Sequence, residues 1–247
     1  MVAQPTSSRN EQPQLLGKDE IAEGTMAFRF EKPPGFDFRP GQTADLTLFN
    51  PPETDSGGNT RTFSIASAPF EEKLMFATRM RDTAFKRSMK QIPLGTRVKI
   101  DSATGSFTLH KNPAKPAVFL AGGIGITPFL SILRQADHER APHKLYLFYS
   151  NRRPEDVPFL KALGALTMTN TNFRFVGTMT NISNSKSKWG GETGRIDKEM
   201  LSRHLSDFRG PIYYIAGPPA MVAGMRKMLA GTDVDEDDIR SEDFAGY

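Results

Sequence analysis

The chain has 247 residues, 38% of them hydrophobic and 24% charged, and 32 Lys and Arg against 28 Asp and Glu leave a formal net charge of +4. Such a length predicts two domains of about 100 to 150 residues each, and so mild a charge, with no basic patch interleaved with aromatics, argues against nucleic-acid binding. The absence of cysteine excludes disulfides, thiolate chemistry and Cys-ligated zinc or iron-sulfur clusters within this chain.

Residues 1–13, rich in Ser, Gln, Asn and Pro, are read as a disordered leader. They carry no signal-peptide pattern, and no apolar run approaches the roughly 18 residues that cross a bilayer, so a cytoplasmic protein with no membrane contact is expected. From 14 to 112, short alternating runs at 25–30, 43–49, 61–67 and 73–81, then a turn plus strand over 93–100 and a closing strand at 105–109, predict an antiparallel β-barrel. Within it, Arg61-Thr62-Phe63-Ser64 brings together a cation for phosphate, a ring for a flat ligand and a hydroxyl for a ring nitrogen. The same four residues also suit an ordinary barrel strand. After Thr78 and Arg79, Asp82 or Thr83 is expected to cap a helix, leaving the amides of Ala84, Phe85 and Lys86 as an anion site, although every capped helix has such amides.

Residues 111–116 are the expected boundary, and 113–247 change pattern to strands alternating with helices, predicting a doubly wound α/β domain around a parallel sheet. The run 117–121 is continuously apolar, as a strand buried on both faces requires. It leads into Gly122-Gly123-Ile124-Gly125-Ile126-Thr127-Pro128, with Thr127 read as N-cap and Pro128 at the first helical position. Pro128 stands where the usual dinucleotide fingerprint has its third glycine. Further helices are expected at 154–166, around 198–204 and at 219–229. A second strand-to-helix loop, Gly217-Pro218-Pro219-Ala220-Met221, falls at the same sheet end, where ligands of such sheets bind. Ser150, Arg152 and Arg153 end the second strand of this half. They favour a 2′-phosphate and hence NADPH over NADH, or else serve as solvated loop residues. The four histidines, His110, His138, His143 and His204, lack metal-ligand spacing and are read as surface residues, so no metal is expected.

This ordered set of motifs, covering nearly the whole chain from about residue 15, resembles the ferredoxin-NADP reductase superfamily. The resemblance implies an FAD-binding barrel, an NAD(P)-binding domain and hydride transfer from nicotinamide to flavin N5. Carried over, Arg61 would hold flavin phosphate, Phe63 would pack on the ring system or ribityl chain in place of the family's tyrosine, and Ser64 would lie near N5. The segment from Thr78 to Lys86 is similar to the second flavin segment, but Thr83, Ala84 and Phe85 replace its glycines and serine, which leaves FMN as the alternative to FAD. Ala216 stands where the family usually has cysteine. Glu242-Asp243-Phe244 is similar to the family's ending, with Phe244 covering the flavin and Glu242 as a proton relay; Tyr247, beyond that pattern, is the alternative covering ring.

Hydride transfer needs no protein nucleophile. Seven basic residues between Arg79 and Lys99 (Arg79, Arg81, Lys86, Arg87, Lys90, Arg97 and Lys99) face one acid, Asp82. They suit either an acidic external acceptor such as a ferredoxin or flavodoxin, or the flavin's own diphosphate and solvent. The leading expectation is an FAD-dependent NAD(P)H oxidoreductase that passes electrons to such a carrier or to an oxygenase component. The alternatives are a reductase of free flavin, quinone or another small acceptor, and a non-catalytic electron-relay or nucleotide-sensing subunit.

Overall fold

The computed structural model describes residues 12–244; most of the expected leader, and Tyr247, lie outside the described residues. In chain order the first half runs β1 (Leu15–Ala22), β2 (Thr25–Glu31), β3 (Thr43–Leu48), β4 (Thr60–Ser64), β5 (Lys73–Arg79), helix α1 (Ala84–Gln91) and β6 (Val98–Ile100). Two three-stranded antiparallel sheets result, ordered β1-β2-β5 and β4-β3-β6, and they form a barrel-like unit. Alternation builds its core: along β3, Ala44, Leu46 and Leu48 are buried and their neighbours are half-buried. These residues join Phe28, Phe30, Phe63, Phe76 and Phe85 inside. Between α1 and the barrel, Thr83 caps the helix, its hydroxyl accepting from the Lys86 amide at 3.4 Å.

The expected closing strand at 105–109 does not form. Only an isolated bridge, Thr43 to Thr104, continues the sheet. Phe107 turns away from the barrel and packs against Phe129 and Tyr214, with ring centroids 5.6 and 5.7 Å away. Burial in the second core outweighs the alternation that suggested a strand.

The second half contains β7 (Ala117–Gly122), α2 (Ile126–His138), β8 (Leu145–Asn151), α3 (Leu160–Thr169), β9 (Phe173–Met179), β10 (Glu192–Thr193), α4 (Lys198–Ser202), β11 (Ile212–Gly217), α5 (Pro219–Ala230) and β12 (Ile239–Asp243). All six strands pair in parallel in the order β10-β9-β8-β7-β11-β12. The chain therefore winds outward from β7 in both directions, and the β7–β11 boundary is the topological switch point. Both faces are covered: Phe119, Phe129 and Leu147 belong to the core that includes α2, while Leu120, Phe148 and Val222 belong to the core that includes α5. The helix expected over 154–166 is divided. A 3-10 turn, Pro154–Asp156, precedes Phe159 in the left-handed region (φ 62), and α3 starts only at Leu160.

Specific bonds join the halves. Arg153 donates to both oxygens of Asp156 at 2.9 Å and to Glu23, in the β1–β2 turn, at 3.0 Å. Ser131 donates to the Ser67 carbonyl at 2.6 Å. The Tyr214 hydroxyl accepts from the His110 amide at 2.8 Å and from Arg240 at 3.2 Å. Two of the four histidines are consequently not on the surface: His110 and His143 are each 8% exposed, and burial lowers the His110 pKa.

Candidate functional site

The glycine loop after β7 and the loop after β11 touch. A Cβ on Gly125 would lie 2.2 Å from the Ala216 carbonyl oxygen, so only glycine lets the two turns meet. Gly123–Gly125 form a 3-10 turn, and α2 begins at Ile126, earlier than Thr127. Thr127 is not the N-cap. It is buried, and its hydroxyl donates to the Ile124 carbonyl at 3.0 Å.

Outside these strand ends lies a cleft of about 430 Å³. Gly122, Gly123, Gly217, Pro218 and Met221 line it from the two turns, and Ser150, Asn151 and Arg152 from the end of β8. Arg79 and Arg81 reach it from the barrel half, and Phe244 closes a further side, its amide donating to the Gly217 carbonyl at 3.0 Å. Residues predicted from widely separated motifs thus share one concavity. Arg153 does not line it, because Asp156 and Glu23 take up its guanidinium.

A neighbouring cleft of about 310 Å³ shares Ser150, Thr180 and Met221 with the first and adds Arg195, Met225 and Gly224. Arg195 was not legible in the sequence. It follows the poorly patterned segment 180–194 and becomes a site residue only because β10 pairs with β9 at the sheet edge.

On the barrel side, Arg61 donates to the carbonyls of Gly57, Gly58 and Thr60 at 2.6, 3.0 and 2.8 Å. It also pairs with Asp55 at 3.0 Å, and its guanidinium carbon lies 5.1 Å from the centroid of the Phe85 ring. The Ala84 amide at the start of α1 donates to the other Asp55 oxygen at 3.2 Å. Lys86 is held down to about 8, by burial first and then by Arg81 and Arg61. The rings of Phe63 and Phe85 lie in the barrel core with centroids 6.0 Å apart. The Thr62 hydroxyl donates to Asp45, and Thr78 is buried on β5.

Ser64 is 3% exposed, and its hydroxyl has no hydrogen-bond partner among the described residues. A buried hydroxyl left unbonded costs about 1–3 kcal/mol, so this one is ready for a ligand acceptor or donor. Glu242 sits beside Ala216 in the β11–β12 register, and burial pushes its carboxyl up to about 7. Among the described residues no group of three or more His, Asp or Glu could hold a metal, and no helix is long and apolar enough to cross a membrane.

A barrel-like unit of antiparallel sheets followed by a doubly wound parallel sheet, with the cleft at the switch point, is the architecture of two-domain flavin and nicotinamide oxidoreductases. Residues 119–227 match the family model for the oxidoreductase NAD-binding domain. The fold of the chain is that of reductases of known structure that pair a flavin-binding unit with a nicotinamide-binding one. A ferredoxin-NADP reductase of Neisseria gonorrhoeae, solved with bound FAD and NADP, superposes with a TM-score of 0.77 at 23% identity, covering 94% of this chain and 97% of that one. A cytochrome P450 reductase of Amycolatopsis gives a TM-score of 0.80 at 21% identity, covering 94% of this chain and 69% of the other. Among curated proteins, the reductase component of propane 2-monooxygenase from Mycolicibacterium smegmatis is 28% identical over 86% of this chain and 61% of its own length. The glycine betaine monooxygenase reductase subunit of Chromohalobacter salexigens is 25% identical over 89% of this chain and 60% of its own length. The chain thus spans about three fifths of the length of these curated relatives.

Proposed function

We propose that the chain is an FAD-dependent NAD(P)H oxidoreductase that passes electrons to an external acceptor, either an oxygenase component or a soluble carrier such as a ferredoxin or flavodoxin. The observation that carries this reading is the single cleft in which both strand-end turns, the end of β8, two barrel arginines and Phe244 meet. A bound flavin accepts a hydride and releases electrons singly, chemistry that no side chain here supplies.

The residues present fit that group. In this reading Arg61 and the amides at the start of α1 bind the flavin phosphate. The Ser64 hydroxyl, buried and unbonded, fills its hydrogen-bonding capacity on the ring system, and the buried barrel core beneath it keeps water away. Phe63 supports the site from within that core. Gly122, Gly123 and Gly217 let the nicotinamide dinucleotide's diphosphate approach the backbone closely, and Arg79 and Arg81 offset its charge. Phe244 covers the face that nicotinamide must reach. Glu242, poised near neutrality, can hold or release a proton beside the cleft.

Arg195, with Ser150 and Thr180, supports NADPH over NADH, since this cation stands in the adjoining cleft where a 2′-phosphate can be received. The relatives named as oxygenase reductase components support an oxygenase partner. Of the seven basic residues near the flavin side, Arg87 is paired with Glu53 and Asp82, and Lys99 with Asp101, which narrows the patch left for an acidic carrier.

Anaerobic mixing of the flavin-loaded protein with NADPH and, in parallel, NADH tests the reading. Bleaching of the flavin band is expected, faster with NADPH, followed by recovery when an acceptor is added. A protein that stays colourless after incubation with FAD and FMN would overturn the proposal.

A further inference from the structure

The β3–β4 loop reaches across to α1 and places a carboxylate where the flavin reading needs a phosphate. Asp55 bridges the Arg61 guanidinium at 3.0 Å and the Ala84 amide at 3.2 Å, one oxygen to each. An anion held between a guanidinium and a helix-start amide is the arrangement in which phosphates are bound. Here the chain supplies that anion itself.

The rest of the loop is fitted to this contact. Arg87 donates to Glu53 from two nitrogens at 2.8 and 2.6 Å, and Ser88 donates to the Glu53 carbonyl at 3.2 Å, so two successive loop acids lie along α1. A Cβ on Gly57 would come within 2.5 Å of the Arg61 guanidinium, which fills that space. The loop is bounded by two left-handed residues, Asn50 (φ 43) and Gly58 (φ 71), positions at which a segment can pivot. The Gly57 amide, then Arg61 and the Ala84 amide, hold the Asp55 carboxyl below the usual carboxylate range, so it stays ionised at neutral pH. Glu53 and Asp82 face Arg87, and Arg81 and Lys86 stand on the same side as Arg61.

We propose that Asp55 is an internal competitor for the flavin's phosphate, and that FAD or FMN binds only when the loop around Asp55 swings away from Arg61 and α1. The inference rests on the flavin reading. It makes flavin affinity a property of the loop as well as of the pocket: the free energy that holds Asp55 in place is subtracted from every phosphorylated flavin and from no other.

The test compares wild type, Asp55→Asn and Asp55→Ala in the full chain, each checked for unchanged far-ultraviolet circular dichroism. Binding of FAD, FMN and riboflavin is measured by quenching of flavin fluorescence, and inorganic pyrophosphate is used as a competitor. If the Asp55 contact is favoured about ten to one, both variants bind FAD and FMN about tenfold more tightly, riboflavin affinity is unchanged and pyrophosphate competes better. Equal FAD affinity in all three proteins overturns the competition and leaves the flavin reading intact. Tightening that extends equally to riboflavin also overturns it, because loop opening rather than charge is then responsible. No flavin binding in any of the three overturns both.

Discussion

Glu242 lies directly across from Ala216 in the parallel pairing of β12 with β11, where burial raises its carboxyl to about 7. The raised value means that the folded protein prefers the protonated acid. Stability is therefore unpenalised below the unfolded value near 4.5 and is lost as pH rises toward 7. The group is partly exposed, so the loss is on the order of 1 kcal/mol. Thermal melts of Glu242→Gln against wild type from pH 4 to 8 are expected to diverge over that window, with the variant gaining relative stability. Flavin reduction should lose its neutral-pH titration in the same variant.

Ser64→Ala separates stability from chemistry. Removing a buried hydroxyl that has no partner should stabilise the flavin-free protein by about 1 kcal/mol. Flavin should be retained, while the anaerobic reduction rate falls about tenfold to a hundredfold. Chemical denaturation and stopped-flow absorbance check the two halves of this expectation, and an unchanged reduction rate would remove Ser64 from the site.

The three arginines near the second-strand end should behave differently. Arg195→Ala is expected to lower kcat/KM for NADPH about tenfold to a hundredfold and leave NADH nearly unaffected, as loss of a phosphate partner requires. Arg152→Ala should weaken both nucleotides. Arg153→Ala should instead lower Tm with similar loss for both donors, because it leaves Asp156, which is 5% exposed, without its cation.

Gly125→Ala should fail to give stable protein. Its Cβ would meet backbone on the neighbouring turn, which cannot rotate away as a side chain can. A loss of more than about 2 kcal/mol is expected, read as reduced soluble yield and a lowered urea midpoint. Gly123→Ala meets nothing within 4 Å but demands a left-handed backbone (φ 54), and should cost about 1 kcal/mol.

Much of this organisation was legible before any coordinates. The continuous apolar run of β7 could be read as a buried parallel strand, and the two strand-to-helix turns as a shared ligand edge, because strand type and strand-end placement are local properties. β1 was not legible: Lys18, Asp19 and Glu20 interrupt its alternation, and it exists as an edge strand paired to β2. Phe107 read as a strand residue because nothing nearby announces a core contributed by α2 and β11. Arg153 read as either a nucleotide ligand or a solvated loop residue because its acidic partner Glu23 is 130 residues away in sequence. Arg195 was missed for the same reason, since the strand pairing that delivers it is made at long range.

The Glu23–Arg153–Asp156 link bears on engineering. A chimera that joins the α/β half of this chain to the barrel of a relative must bring an acid into its first hairpin turn to keep this link. Otherwise Arg153 keeps only its near partner, and the two halves rely on the Ser131–Ser67 and Tyr214–His110 bonds and the packing of Phe107. Hybrids built without that acid should therefore hold their two halves together less firmly than the parent, read as a modestly lower melting temperature.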